Sequence, residues 1–134
     1  MDDLVRALRA VLATGPPLRL AILFGSRARA RARPDSDVDV AILPVSPALS
    51  LEDESALGVA LEGAVGHSVD LVRIDQANDA VLWRIARDGI VLCSDPPSAA
   101  PRWLAQVGIE HDERAELEAR AARTYQAALA RGAR

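Results

Sequence analysis

The stretch from Leu18 to Leu43 constrains the fold more than any other part of the sequence. Residues 18–24 are apolar enough to form a buried strand, and Gly25-Ser26 ends that strand. Residues 37–40 alternate between aspartate and valine, and residues 41–43 are apolar. This alternation has the two-residue period of a β-strand and predicts a strand over residues 37–43. Only about a dozen residues separate the two strands, too few for an ordinary crossover helix. They therefore form either an antiparallel pair or a parallel pair joined by a very short helix.

The rest of the chain predicts alternating helices and strands. We expect helices over residues 2–14, 51–65 and 76–88, strands over 68–74 and 90–93, and a helical segment over 102–131 that is broken near Gly108. Ser50 with Asp53 forms a capping pair for the second helix, whereas Asp75 caps the third and Gly89 ends it. At 134 residues the chain has room for one core. This order predicts an α+β fold, a small mixed β-sheet of about four strands with helices packed against it.

Charge and cysteine content narrow the class of function. The formal net charge is −3, which argues against a general nucleic-acid binder because such proteins carry a basic excess. The single cysteine, Cys93, cannot build a disulfide framework, so a reducing cytoplasm is expected. No apolar stretch reaches transmembrane length, and the acidic start of the chain is unlike a signal peptide. We therefore expect a cytoplasmic protein with no membrane partner and no stable nucleic-acid partner.

Three aspartates are the candidate residues for chemistry. Asp37 and Asp39 lie two positions apart in a strand, so their carboxylates project from one face with Cα atoms about 6–7 Å apart. Such a pair repels unless a cation lies between, and Mg²⁺ prefers oxygen ligands. Two metal ions can activate the attacking oxygen and stabilise the leaving one in phosphoryl transfer. The alternative is that both aspartates form the solvent face of an edge strand.

Asp70 is the third of these carboxylates. It lies centrally in the strand Ser-Val-Asp-Leu-Val at residues 68–72, where a charge is costly unless it is paired or bound to a metal. If this strand lies beside that of Asp37 and Asp39, all three can meet, and Asp70 can accept the proton of an acceptor hydroxyl or hold the metal that activates it. An exposed position on the alternate face is the competing interpretation.

Gly25 and Ser26 form a candidate phosphate site. They directly follow a buried strand and open a short helix. Glycine lets the backbone approach a phosphate closely, and the serine hydroxyl and the helix amides can donate to it. The alternative is an ordinary strand-to-helix turn with Ser26 as the N-cap.

Together these residues match a known pattern. The span from Gly25 to Asp39 resembles the Gly-Ser, ten residues, Asp-x-Asp signature of the minimal nucleotidyltransferases (MNT), in the DNA polymerase β-like superfamily, with residues 27–36 as the spacer. The resemblance covers about residues 1–95, which it implies are the nucleotidyltransferase domain, and leaves 96–134 as a linker and C-terminal helical tail. It implies a polymerase β-like nucleotidyltransferase fold and an enzyme that transfers a nucleotide from an NTP to an acceptor hydroxyl.

The resemblance also implies roles for individual residues and a cofactor, two Mg²⁺ ions for which Mn²⁺ can substitute. The catalytic residues, which are also the metal ligands, would be Asp37, Asp39 and Asp70. The nucleotide-binding residues would be Gly25, Ser26 and Arg27. The arginines at positions 29, 31 and 33 cannot all face the nucleotide and are expected to be solvated.

The acceptor is inferred from the shortness of the chain, which has no second domain to form an acceptor pocket. Stand-alone members of this size resemble the antitoxin of HEPN/MNT toxin–antitoxin systems, which transfers AMP from ATP to a tyrosine of a HEPN-domain toxin. ATP and a HEPN-domain toxin are therefore the expected partners. A non-catalytic inhibitory module and an aminoglycoside-type transferase completed by dimerisation are the two alternatives.

The tail leaves its own role open. Glu110 with Arg114 and Glu116 with Arg120 form supportive pairs four residues apart on a helix. A narrow apolar stripe is formed by Leu117, Ala121, Tyr125 and Leu129. The stripe either docks a partner or a second copy, or it packs on the chain's own sheet.

Overall fold

Four strands and five helices make up the molecule in a computed structural model that describes residues 2–29 and 36–132. The elements are α1 (Asp2–Leu12), β1 (Leu18–Phe24), α2 (Gly25–Ala28), β2 (Val38–Pro44), α3 (Leu51–Val65), β3 (Val69–Arg73), α4 (Asp79–Asp88), β4 (Ile90–Ser94) and α5 (Ala99–Gly132), with a 3₁₀ turn at Ile74–Gln76. Within these described ranges, no helix is both long enough and apolar enough to cross a lipid bilayer.

The strands form one mixed sheet in the order β3-β2-β1-β4. β1 pairs antiparallel with both β2 and β4, whereas β2 and β3 are parallel. Of the two arrangements open for the first two strands, the antiparallel pair is therefore the one that forms. The predicted α+β class with a four-strand mixed sheet is confirmed.

Each face of the sheet carries its own hydrophobic core. On one face, α1 and α3 pack against the inward side chains of β1 and β2, including Val38 and Val40, which are fully buried as the alternating pattern predicts. On the other face, α4 and α5 pack against Ile22 and Phe24 of β1 and Ala41 of β2. Successive strand residues point to opposite faces, so Asp39, between Val38 and Val40, lies on the face covered by α4 and α5.

The start of α4 differs from the prediction. The helix begins at Asp79, and the side chain of Asn78 caps it by accepting a hydrogen bond from the backbone N–H of Val81 at 3.0 Å. Asp75 was the expected cap, but its carboxylate accepts two hydrogen bonds from the buried guanidinium of Arg73, at 2.9 and 2.7 Å. That pair holds Asp75 in the 3₁₀ turn, and Asn78, at the residue before the helix begins, provides the cap. The cap of α3 is as predicted, with Ser50 accepting from the N–H of Asp53.

The C-terminal segment is one continuous helix of 34 residues, with no break at Gly108 and a start three residues earlier than predicted. Its first half packs on the body through Ala100, Trp103 and Val107, which offsets the roughly 1 kcal/mol that a glycine costs in a helix. The expected pair of Glu110 with Arg114 does not form. Arg114 instead contacts Asp79 of α4, whereas the pair of Glu116 with Arg120 does form at 3.2 Å.

Candidate active site

The three aspartates lie close together where the parallel strands β2 and β3 begin. Asp39 is the second residue of β2 and lies in register with Asp70 of the neighbouring parallel strand β3. Hydrogen-bonded strands run about 4.8 Å apart, so paired residues project side by side from the same face. Asp37, just before β2, is two residues from Asp39 and projects toward the same side. The neighbouring-strand arrangement on which the meeting of the three depends is thus present.

Burial differs between the three carboxylates. Asp39 is half-buried, whereas Asp37 and Asp70 are exposed. Of the two interpretations of Asp70, the exposed position is the one that occurs, because β3 is an edge strand and its outer positions are open to solvent; its register with Asp39 nevertheless keeps it beside the other carboxylates. An exposed carboxylate beside a half-buried one leaves Asp70 accessible to an incoming group while Asp39 stays fixed by the sheet.

Charge crowding makes the site unfavourable for anions in the absence of a cation. The pKa of Asp39 is raised above its ordinary value, first by burial and then by the negative charges of Asp70 and Asp37. Arg84 on α4 acts in the opposite direction and lowers the pKa of Asp39. Positive charge placed among the three aspartates would relieve this repulsion.

Gly25 is required beside Asp39 for a reason that the sequence does not reveal. Its φ is +75°, a backbone conformation that glycine adopts readily and other residues rarely do. β1 and β2 pair Phe24 with Asp39, which places Gly25 against the aspartate side chain. A Cβ at Gly25 would overlap Oδ2 of Asp39 and lie 3.2 Å from its Cγ. Gly25 therefore makes room for the carboxylate itself.

Ser26 and Arg27 follow on the short helix α2. Phe24 occupies the N-cap position without a side-chain hydrogen bond, so Ser26 lies inside the helix and is not its cap. Arg27 donates from Nη2 to the backbone oxygen of Ser36 at 2.8 Å, and the same atom lies 3.4 Å from Nδ1 of His67. Arg27 thus ties α2 to the chain just before β2. Its contact with a nucleotide stays a prediction, and Arg31 and Arg33 lie outside the described residues.

Sequence reasoning missed Arg84. It lies on the exposed side of α4, next to the fully buried Ile85, and its charge acts on Asp39 and on Asp88 at the end of the same helix. Asp88 also contacts Arg29 of α2 at 3.9 Å, which places the C-terminal end of α4 beside the site. No local motif marks Arg84, because its place depends on how α4 packs across the sheet.

The residues present suit a metal that arrives with a nucleotide. In the part of the chain that the structure describes, no three acidic, histidine or cysteine side chains form a ready-made cage for a metal ion. Mg²⁺ is usually bound by one or two carboxylates together with substrate phosphates, and does not need an all-protein cage. The oxygen-only donor set of Asp37, Asp39 and Asp70 fits that mode of binding.

A separate groove of about 450 Å³ lies between α4 and α5. Its walls include Trp83 and His111, whose rings stack 3.7 Å apart, and the Asp79 end of α4. The three aspartates do not line it. We place the candidate active site at the aspartates, because the charge and the conformational constraint are concentrated there.

The chain belongs to the polymerase beta nucleotidyltransferase family, whose sequence profile matches residues 6–98. The match includes the Gly25–Asp39 span and Asp70, and it confirms the resemblance drawn from those residues. The chain is accordingly a nucleotidyltransferase. Among curated proteins, none is similar enough in sequence to count as a relative.

Several solved structures of similar shape come from toxin–antitoxin complexes. A chain from a toxin–antitoxin crystallised with AMP-PNP has a TM-score of 0.65 and 23% identity, covering 87% of this chain and 97% of that one. A chain from the toxin–antitoxin MntA–HepT has a TM-score of 0.60 and 22% identity, covering 90% and 98%. A chain from the complex of a tri-AMPylated Shewanella oneidensis HEPN toxin with MNT antitoxin has a TM-score of 0.54 and 23% identity, covering 90% and 93%. At these identities the likeness establishes the shared fold.

Proposed function

We propose that this chain transfers AMP from ATP to a tyrosine hydroxyl of a HEPN-domain toxin and thereby acts as its antitoxin. Nucleotide transfer is supported above all by the pairing of Asp39 with Asp70 on neighbouring strands. Asp37 lies two residues before Asp39, and Gly25, which follows β1, lies against the Asp39 side chain. The choice of ATP and of a HEPN toxin is supported by the solved structures of similar shape, which include complexes with AMP-PNP and with an AMPylated HEPN toxin. The expected compartment is the cytoplasm, where ATP is available and Cys93 stays reduced.

The proposed roles divide the site into two sides. Asp37 and Asp39 would hold the metal that accompanies the triphosphate, and the backbone of Gly25 and Ser26 would bind the phosphates. Asp70, on the exposed edge strand, faces the acceptor and accepts the proton of the tyrosine hydroxyl. The tyrosine oxygen forms a bond to the α-phosphorus, the bond from the α-phosphorus to the bridging oxygen breaks, and pyrophosphate leaves. Two Mg²⁺ ions, for which Mn²⁺ can substitute, would supply charge stabilisation for the attacking and leaving oxygens.

The exposure of Asp70 favours a macromolecular acceptor. A small-molecule transferase needs walls around its acceptor, whereas Asp70 and Asp37 are open to solvent in this chain. A tyrosine presented by another protein brings its own surroundings to such an open edge. The surface around Asp70 is therefore suited to an acceptor that arrives as part of a folded partner.

The test is transfer of label from ATP radiolabelled at the α-phosphate to the product of the neighbouring gene, in the presence of Mg²⁺; the proposal expects that product to be a HEPN-domain protein. The unaltered protein should label the partner on tyrosine. Asp70→Asn should abolish labelling but largely keep nucleotide binding, because Asp70 serves the acceptor side. Asp53→Asn, an equal change at an exposed position on α3, is the matched control and should label normally.

Two outcomes would redirect the assignment. A tight complex without labelling under any nucleotide would identify a non-catalytic inhibitor. Labelling of an aminoglycoside with no labelling of protein would identify a small-molecule transferase.

A further inference from the structure

More than half of α5 contributes no buried side chain to either hydrophobic core. We call residues 112–132 the tail helix, and every one of them is exposed. α5 runs along α4 from the site outward, because the Asp88 end of α4 lies beside the site, whereas Arg114 of α5 contacts Asp79 at the opposite end. The tail helix therefore leads away from the aspartates. Large apolar side chains are exposed along it: Leu117 at 62%, Tyr125 at 66% and Leu129 at 54%.

The exposed stripe continues the face by which α5 packs on the body. Eighteen residues make about five full turns of an α-helix, so residues that far apart lie on the same side. Ala121, Tyr125 and Leu129 are each this distance beyond Trp103, Val107 and His111, respectively. Of those inner residues, Trp103 packs on the core between the sheet and α4 and α5, Val107 is buried, and His111 stacks on Trp83. The tail helix thus presents a packing face to solvent.

Charge is divided sharply along the same segment. Five acidic residues and one arginine lie between positions 110 and 118, whereas positions 119–132 contain three arginines and no acidic residue. The helix macrodipole does not account for this, because its effect is confined to the first and last turns and the acidic block begins about three turns into α5. In proteins most of the stability of a helix comes from packing of its apolar face, so a complementary surface would stabilise the tail helix.

We propose that two copies of this chain pair through their tail helices in an antiparallel arrangement. A two-fold axis places the same patch of both copies in contact, so the acidic half of each helix lies against the basic half of the other. A parallel arrangement would put like charges together. Complementarity of Glu113 on the acidic half of one copy with Arg131 on the basic half of the other therefore selects a second copy as the occupant and fixes its direction.

The register follows from the positions of the side chains. With the axis between Ala121 and Ala122, Leu117 of one copy lies within one residue, about 1.5 Å along the helix, of the level of Tyr125 of the other, and the small alanines allow the helices to cross closely. Glu113 and Arg131 are 18 residues apart and so share one flank of the helix. Antiparallel pairing about this axis brings Glu113 of each copy within one residue, about 1.5 Å along the helix, of the level of Arg131 of the other, which their long side chains can span.

The first measurement is the mass of the full-length protein by sedimentation equilibrium over a range of concentration and salt. The proposal expects a reversible dimer of twice the 14.3 kDa chain mass, weakened by salt because the pairing charges are exposed. Leu117→Ala with Tyr125→Ala keeps helix propensity and should leave a monomer. A chain that stays monomeric at every concentration overturns the proposal.

Charge reversal tests the register. Arg131→Glu replaces two attractive contacts per dimer by repulsive ones and should raise the dissociation constant about tenfold, and adding Glu113→Arg should restore it. Arg123→Glu is the matched control, because Arg123 lies on the opposite side of the helix from the stripe and its reversal should leave the dimer unchanged. Equal weakening by Arg131→Glu and Arg123→Glu would refute the register.

Cross-linking tests the direction. In a Cys93→Ser background, a mixture of Leu117→Cys and Tyr125→Cys chains should form mixed disulfide dimers if the helices are antiparallel. Disulfides between two Leu117→Cys chains alone would indicate parallel pairing and overturn the proposal. A tail helix that binds the HEPN partner through the same face, with no self-association, would overturn it as well. None of these measurements depends on nucleotide transfer, so they fail or succeed independently of the proposed function.

Discussion

Replacing Gly25 by alanine should damage the site far more than it damages the fold. Two costs combine at this position: the left-handed backbone conformation at φ +75° and the overlap of the new Cβ with Oδ2 of Asp39. The left-handed conformation costs a non-glycine residue about 1 kcal/mol after the smaller entropy of the unfolded alanine chain is counted. Turning Asp39 away from its favoured rotamer adds about 1 kcal/mol more. We expect a total loss of about 2 kcal/mol.

Gly66 provides a matched control within the same chain. It ends α3 with φ +72°, and a Cβ there would meet no atom within 4 Å. Gly66→Ala therefore carries the conformational cost alone, about 1 kcal/mol, and should lower the melting temperature by about 4 °C against about 8 °C for Gly25→Ala. Thermal melts of the two variants without metal measure the difference.

Activity should separate the two variants more clearly than stability. A displacement of about 1 Å at a catalytic group can cost about 100-fold in rate, so Gly25→Ala should reduce kcat/KM by about that factor, whereas Gly66→Ala should leave it unchanged. In an Asp39→Ala background the overlap is absent, and Gly25→Ala should then cost no more stability than Gly66→Ala. Normal activity of Gly25→Ala, or equal stability costs in both backgrounds, would refute the argument that Gly25 makes room for Asp39.

Three further predictions concern the charges at the site. Asp39→Asn should raise the melting temperature of the metal-free protein at neutral pH, because the raised pKa of Asp39 means that its charge destabilises the folded state. This increase in melting temperature should shrink as the pH falls through the pKa of Asp39 in the folded protein, and should vanish below its pKa in the unfolded chain. Melts across pH decide this, and a loss of stability at pH 7 would mark Asp39 as structural. Asp37→Asn with Asp39→Asn should remove the calorimetric signal of Mn²⁺ with ATP, and an unchanged signal would exclude these two as metal ligands. Arg84→Gln should raise the pKa of Asp39 further and weaken ATP binding by roughly tenfold, because one cation near the triphosphate is lost. Arg102 is exposed at the start of α5, and Arg102→Gln should leave ATP binding unchanged.

The strands were predictable because their signals are local. The bounds expected for the first two strands agree with β1 and β2 to within one residue, and Val38 and Val40 are buried as their alternation predicts. The meeting of Asp37, Asp39 and Asp70 was predictable only conditionally, since their sequence positions do not say which strands are neighbours. The resemblance to the nucleotidyltransferase family indicated that the three aspartates belong to one site.

Features that depend on contacts between distant residues could not be read from the sequence. Aspartate commonly caps helices, but the carboxylate of Asp75 accepts hydrogen bonds from Arg73, and Asn78 caps α4. Glycine often interrupts helices, but α5 continues through Gly108, because Trp103 and Val107, which precede it, pack α5 against the body. The influence of Arg84 on Asp39 arises from the packing of α4 across the sheet, which no local pattern encodes.

The position of the two aspartate-bearing strands in the sheet has a consequence for local unfolding. β2, which carries Asp39, is hydrogen-bonded on both sides, whereas β3, which carries Asp70, is bonded to β2 alone and is only five residues long. Amide hydrogens of β2 should therefore exchange with solvent only when the whole molecule opens, and those of β3 should exchange through smaller openings of that one edge. The half of the site that would hold the nucleotide is thus as rigid as the fold itself, while the half that would meet the acceptor can adjust to what docks against it.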